Sequence, residues 1–124
     1  MIGGMLASAA LGAPEALQTD ISEVFMAQPE AKLSRKIMDA LRAEGWFCFK
    51  VHGSEHMMAG LPDIVCCAGG LFFGLETKMP HTRSNTSARQ DYVHDLIRGA
   101  DGIAQVVTSP EEAVRLIKQT LKEK

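Results

Sequence analysis

The feature that most constrains this 124-residue chain is a glycine pair between two apolar runs, each bounded at its far end by charge. Gly60-Leu61-Pro62-Asp63 leads into the first run, Gly69-Gly70 divides the two, and the second run leads into Glu76-Thr77-Lys78. Successive glycines take φ > 0 without a Cβ penalty, so the pair predicts a two-residue hairpin turn. Counting outward from that turn sets Ala68 opposite Leu71, Cys66 opposite Phe73, Ile64 opposite Leu75 and Asp63 opposite Glu76. Facing carboxylates repel across a strand pair, an arrangement that costs a sheet stability. A divalent cation converts the repulsion into coordination, because hard cations bind through carboxylate oxygen. Glu76 and Lys78 are two apart, so an extended strand projects them from one face. Glu-Thr-Lys or Pro-Asp alone is ordinary surface chemistry. Closed onto each other by a hairpin, they predict a site for metal-assisted phosphodiester hydrolysis.

The length suits one domain with a proper core and is too short for two. Apolar residues make up 46% and charged residues 23%, the balance of an ordinary soluble globular protein. No apolar run approaches the roughly 20 residues of a membrane-spanning helix, so no membrane partner is expected. Met1-Ile2-Gly3-Gly4 carries no basic side chain, which argues against a secretory signal. Cys48, Cys66 and Cys67 are odd in number, form no C-x-x-C unit and sit in apolar runs. They read as buried free thiols in a reducing compartment, which places the chain in the cytoplasm.

The net charge of −2 is uneven along the chain. Glu15, Asp20 and Glu23 precede residue 29, where there is no Lys or Arg, leaving 13 basic against 12 acidic residues beyond it. That balance is compatible with a DNA partner without arguing for one.

Residues 1–28 are rich in Ala, Gly and Met and show no period; they suit a short helix, a dimer arm or a disordered leader equally. Gln28-Pro29-Glu30 opens a helix, with Pro in its first turn and Glu near the positive end of the dipole. Leu33, Ile37 and Leu41 mark its buried stripe, Lys32, Arg35, Lys36, Asp39 and Arg42 its wet face, and Gly45 its C-terminal cap. Strands are expected at 46–51, 63–68 and 71–78, then a polar loop at 80–87. A helix over 88–98 turns Tyr92, Val93, Leu96 and Ile97 inward. A continuously apolar strand at 102–108 reads as central. Ser109-Pro110-Glu111-Glu112 then starts a helix, with Ser as N-cap, that buries Ala113, Val114, Ile117 and Leu121. Trp46, Phe47, Phe49, Phe72 and Phe73 alternate along strands and are expected in the core. The order αβββαβα is an α/β fold, a mixed central sheet flanked by helices.

That order, with Gly-x-Pro-Asp on the second strand, Glu-x-Lys on the third and Gln opening the next helix, resembles the PD-(D/E)XK nuclease superfamily. More closely it is similar to the VRR-NUC group, in particular its small stand-alone members from phages and prophages. Glu30, Gly60-Leu61-Pro62-Asp63, Glu76-Thr77-Lys78, Gln90 and the Gly102-Ile103-Ala104 strand carry the resemblance. It covers about residues 29–120, giving a nuclease domain over 29–124 behind an N-terminal extension, 1–28.

The resemblance implies a restriction-endonuclease-like αβββαβ core and an Mg²⁺- or Mn²⁺-dependent DNA endonuclease. Its stand-alone relatives imply a homodimer acting on Holliday junctions; larger relatives cut flapped DNA. Asp63 and Glu76 are then the metal ligands, with the Thr77 backbone carbonyl completing the inner shell. Lys78 orients or deprotonates the attacking water and balances charge in the transition state; its other reading is a salt bridge to Glu76. Glu30 is by sequence a helix-start acid and by resemblance a further ligand, direct or through water. Gln90 alone is a surface residue; its place after Glu76-x-Lys78 implies a bond to the nucleophilic water or a DNA phosphate. Lys50, His52, His56, Arg83, Ser84 and Arg89 lie in or beside the neighbouring loops and suit either phosphate contacts or a solvated surface. Gly53 between His52 and His56 argues against a helical zinc pair. The rival readings are a flap- or end-preferring nuclease, a non-catalytic DNA-binding module on the same fold, and a metal-independent interaction domain.

Overall fold

In the computed structural model, residues 29–124 are described. The expectations for residues 1–28 fall outside them. Helix α1 spans Pro29–Ala43, followed by strands β1 (Phe47–Lys50), β2 (Ile64–Ala68) and β3 (Leu71–Thr77). A 3₁₀ turn at Pro80–Thr82 leads to α2 (Ala88–Gly99), β4 (Ile103–Val107) and α3 (Pro110–Lys122). This is the expected αβββαβα order, with each strand lying within its predicted bounds and at most one residue short at either end.

The sheet runs β1-β2-β3-β4. β1 and β2 are antiparallel, as are β2 and β3, whereas β4 lies parallel to β3 after the α2 crossover, making the sheet mixed. Gly69 and Gly70 take φ of 58° and 79°, the positive values a two-residue hairpin turn demands. The register pairs Ala68 with Leu71, Cys66 with Phe73 and Ile64 with Leu75, as counted from the turn.

One face of the sheet packs on α1 and α3. Ile37 and Leu41 of α1 and Ala113 and Ile117 of α3 meet Cys48, Ile64, Cys66, Phe73, Leu75 and Val107 in a single buried cluster. Burying a side chain such as Phe73 fully contributes roughly 1.5–3 kcal/mol. Val114 and Leu121 pack against its margin. Gly45, at φ 89°, closes α1 by donating its N–H to the Arg42 carbonyl at 2.9 Å. Ser109 caps α3, its hydroxyl accepting from the Glu112 N–H.

The other face carries α2, and here the structure departs most from the pattern of the sequence. Among the described strands β4 is an edge, not central. Its apolar run arises because α2 covers one of its faces and α3 touches the other. α2 presents Val93 and His94 to the interior and leaves Tyr92 and Leu96 exposed. The inward stripe thus follows positions 90, 93, 94 and 97, one step round from the one predicted. Phe47, Phe49 and Phe72 are also exposed, as is Cys67, because they alternate onto this face, where α2 reaches only as far as the margin of Phe72. Only Phe73 is fully buried, with Trp46 packed at the core margin. Among the described residues no helix is long and apolar enough to cross a membrane.

Candidate active site

Asp63 immediately precedes β2, and its carbonyl accepts the Val51 N–H at 2.7 Å, continuing the β1–β2 ladder by one step. Because Ile64 pairs with Leu75, the next step outward brings Asp63 against Glu76. The side chain of Asp63 turns back onto the strand, Oδ2 accepting the Thr77 N–H at 2.9 Å, while Oδ1 lies 3.7 Å from Lys50 Nζ.

The residues before Asp63 fix this approach by close packing. Gly60 sits at φ 87°, and a Cβ there would stand 2.7 Å from the Arg89 carbonyl oxygen of α2. Pro62 is buried against Gly74 of β3, where a Cβ would lie 2.7 Å from the proline ring. Gly-x-Pro-Asp is therefore a packing device that presses one carboxylate to the end of β3. Gly74 is its counterpart on β3, a position without special meaning in the sequence alone.

Glu76 is only 3% exposed. Its Oε2 accepts from Gln90 Nε2 at 2.9 Å, whereas Oε1 is buried without a hydrogen-bond partner. Burial pushes the Glu76 carboxyl from the usual 4.5 up to about 8; the Asp63 carboxylate adds to the rise and Lys78 opposes it. Gln90 is itself held in a capping box at the start of α2. Its N–H donates to Ser87 Oγ at 3.1 Å, and its Oε1 accepts the Ser87 N–H at 2.9 Å. The helix start thus aims one amide at the carboxylate. Thr77 points to the opposite face, where Ser34 of α1 donates to its hydroxyl at 2.9 Å.

Lys78 is half-buried just beyond β3, and its N–H donates to the Val107 carbonyl at 3.1 Å. Among the described residues it forms no salt bridge, so its ammonium is not spent on Glu76. Glu30 of α1 stands near enough to add to the rise of the Glu76 carboxyl. Three His, Cys, Asp or Glu side chains do not converge anywhere among the described residues into a metal cluster. The donor set the geometry offers is therefore a carboxylate pair. An orphaned, buried carboxylate oxygen beside a second carboxylate fits a hard divalent cation, which would relieve both the missing partner and the like-charge repulsion.

The remaining predicted residues divide by what they touch. Arg83 forms a bidentate pair with Glu112, Nη1 to Oε1 at 3.0 Å, and its guanidinium also reaches Thr108 and the Val106 carbonyl. That guanidinium holds the Glu112 carboxyl down at about 2, with Thr108 N–H and hydroxyl assisting. Arg89 donates to the Ala59 carbonyl at 3.1 Å and lies 5.2 Å from the Tyr92 ring centroid. Lys50 serves Asp63. His52, His56 and Ser84 are exposed on loops, with His56 Nε2 3.5 Å from Glu55.

Four further positions escaped the sequence reading: Gly74, Ser87, Glu112 and His94. Ser87 had a signal, since Ser followed three residues later by Gln is a capping box. His94 follows Gln90 by one helical turn and is buried with Nε2 unpartnered, and burial lowers its pKa. Nothing around it in the sequence marks that burial.

No family model matches the sequence, and no curated protein matches it. Solved structures do. A chain described as a VRR_NUC domain superposes with a TM-score of 0.59 at 22% identity, over 72% of this chain and 94% of that one. The Archaeoglobus fulgidus Holliday junction resolvase Hjc gives a TM-score of 0.49 at 20% identity, over 64% of this chain and 67% of that one. With its mixed four-stranded sheet and three helices, the described chain has the fold of a VRR_NUC domain.

Proposed function

We propose that this chain is a divalent-metal-dependent DNA endonuclease that hydrolyses phosphodiester bonds in branched DNA, with the four-way junction as preferred substrate and a homodimer as working unit. The observation that carries the reading is the buried Glu76 carboxylate, braced by Gln90 on one oxygen, unpartnered on the other, and pressed against Asp63. The VRR_NUC fold and the sequence resemblance support the nuclease class. The same resemblance supports the junction preference, and the symmetry of a four-way junction favours two identical sites.

Asp63, Glu76 and the Thr77 carbonyl would hold Mg²⁺ or Mn²⁺, with Glu30 joining directly or through water. When bound, such an ion supplies Lewis-acid polarisation of the phosphate and lowers the pKa of coordinated water. The chain's own residues do the rest. The Thr77 N–H orients Asp63, and Gln90 orients Glu76. Lys78, in no salt bridge among the described residues, orients or deprotonates the attacking water and balances the charge gathering on the phosphate oxygens. His52, His56, Ser84 and Arg89 would position the backbone through phosphate contacts, which fix register without reading sequence, whereas Lys50 and Arg83 are taken up by Asp63 and Glu112.

The test is a comparison of initial rates on labelled four-way junction, flap and linear duplex in Mg²⁺ and Mn²⁺. Fast, paired cutting of the junction supports the reading. Preference for the flap keeps the nuclease and discards the junction substrate. Junction binding with no cleavage of any substrate makes the chain a DNA-binding module.

A further inference from the structure

Among the described residues, several of the exposed large apolar side chains gather on one side. Phe47, Cys67 and Phe72 are register neighbours across β1, β2 and β3, so they form one row on the sheet face opposite the core. Phe49 extends the row along β1, its ring centroid 5.8 Å from that of Phe47. At the other end Phe72 joins Met58 and Leu96 around an apolar hollow. Phe47 is 67% exposed and Phe72 45%, values that large aromatics in a finished core do not show.

With roughly 150–250 Å² per aromatic side chain, the exposed parts of these six residues offer about 500 Å² of apolar surface. That is the scale at which exposed patches mark interaction sites. It also suits the apolar centre of a standard interface, about 800 Å² per partner with its polar rim. None of the six side chains carries a charge, which disfavours nucleic acid, whose binding runs through cations on phosphates. A two-fold axis lets one patch serve both partners, so an uncharged patch of this kind is satisfied by itself.

We infer that the Phe47–Cys67–Phe72 face is the surface on which a second copy of this chain docks. The inference deepens the homodimeric part of the proposed function, and rests on it in naming the partner.

The test is sedimentation equilibrium of the full chain beside Phe47→Glu and Phe72→Glu, with melting curves to confirm that each variant folds. The expected result is twice the 13.4 kDa chain mass for the parent, with dissociation constants raised roughly 30-fold or more in both variants. Maleimide labelling of Cys67 gives a second reading without any substitution. Cys48 and Cys66 are buried, so the labelling rate reports Cys67 and should fall as the parent's concentration rises. A parent chain that stays monomeric overturns the inference and points to cover by residues 1–28 or another partner. A dimer unchanged by both substitutions, with Cys67 labelling independent of concentration, overturns it while keeping the dimer. Neither result touches the nuclease assignment, because these assays read association and not cleavage.

Discussion

Gln90 and Glu76 are joined by a 2.9 Å hydrogen bond that occupies one carboxylate oxygen and leaves the other buried and unsatisfied. The same glutamine completes the capping box of α2, so helix start and carboxylate orientation are one arrangement. Gln90 acts through Glu76, which makes it a positioning residue. Gln90→Ala should reduce activity about 10- to 100-fold, the range for residues that orient metal ligands. It should also raise the Mg²⁺ concentration needed for half-maximal rate. Equal Mg²⁺ dependence in parent and variant would confine Gln90 to helix capping.

The raised Glu76 carboxyl makes a pH prediction. Its folded value of about 8 lies above the usual 4.5, so the folded metal-free chain binds the proton more tightly than the unfolded one. This contribution to stability is complete below pH 4.5 and is lost as pH rises through about 8. Metal-free melting temperature should therefore carry a falling component across that window. Glu76→Gln should remove it, and Mg²⁺ should flatten it. A Glu76→Gln profile parallel to the parent's would refute the assignment.

Asp63 combines repulsion with a structural bond. Asp63→Asn removes the charge facing Glu76 and keeps an oxygen for the Thr77 N–H, whereas Asp63→Ala leaves that N–H without its acceptor. Both should abolish cleavage. Without metal, Asn should melt at or above the parent temperature. Ala should lie below Asn by the roughly 0.5–1.5 kcal/mol of a lost hydrogen bond. Thermal denaturation in EDTA checks the order, and Ala at or above Asn would contradict it.

Arg83 and Glu112 tie the loop after β3 to the start of α3. Arg83 is substantially exposed, so Arg83→Ala should cost only about 0.5–1 kcal/mol after solvent screening. Because Arg83 depresses the Glu112 carboxyl to about 2, the stabilisation is present above the usual 4.5 and lost as pH falls through about 2. Denaturant midpoints at neutral and acid pH measure it. An unchanged difference between parent and variant at the two pH values would remove the pair from the account.

Gly60 tests the packing of the site. Gly60→Ala adds a Cβ 2.7 Å from backbone of α2 at a positive φ, so neither partner can yield cheaply. Destabilisation of about 1–3 kcal/mol is expected, with activity falling as Asp63 is displaced. A stable, fully active variant would show that Asp63 is placed by something else.

The hairpin was readable because its turn, register and charges obey local rules. Gly69-Gly70 admits one tight turn, and the count from it fixes that Asp63 meets Glu76. Helix boundaries were readable for the same reason, through Pro29, Gly45, Ser109 and Pro110. What escaped depends on which helix covers which strand. Phe47, Phe49 and Phe72 look like core residues by alternation, and their exposure follows only from the limited reach of α2. β4 looks central by its apolar run for the same reason, since an edge strand covered on two faces is as apolar as an inner one. Arg83 resembled a free cation because its partner, Glu112, lies 29 residues away. Gln90 stands out in sequence by its place after Glu76-x-Lys78, but its bond to Glu76 exists only once the fold brings α2 against β3.

The most direct test of the central claim is cleavage of a labelled four-way junction in Mg²⁺, in Mn²⁺ and in EDTA, with Lys78→Ala and Glu76→Gln beside the parent. Cutting is expected in either metal, with none in EDTA and loss in both variants while their melting temperatures show intact folds. Cutting that persists in EDTA, or that survives in both variants, would contradict a metal-dependent site at Asp63 and Glu76.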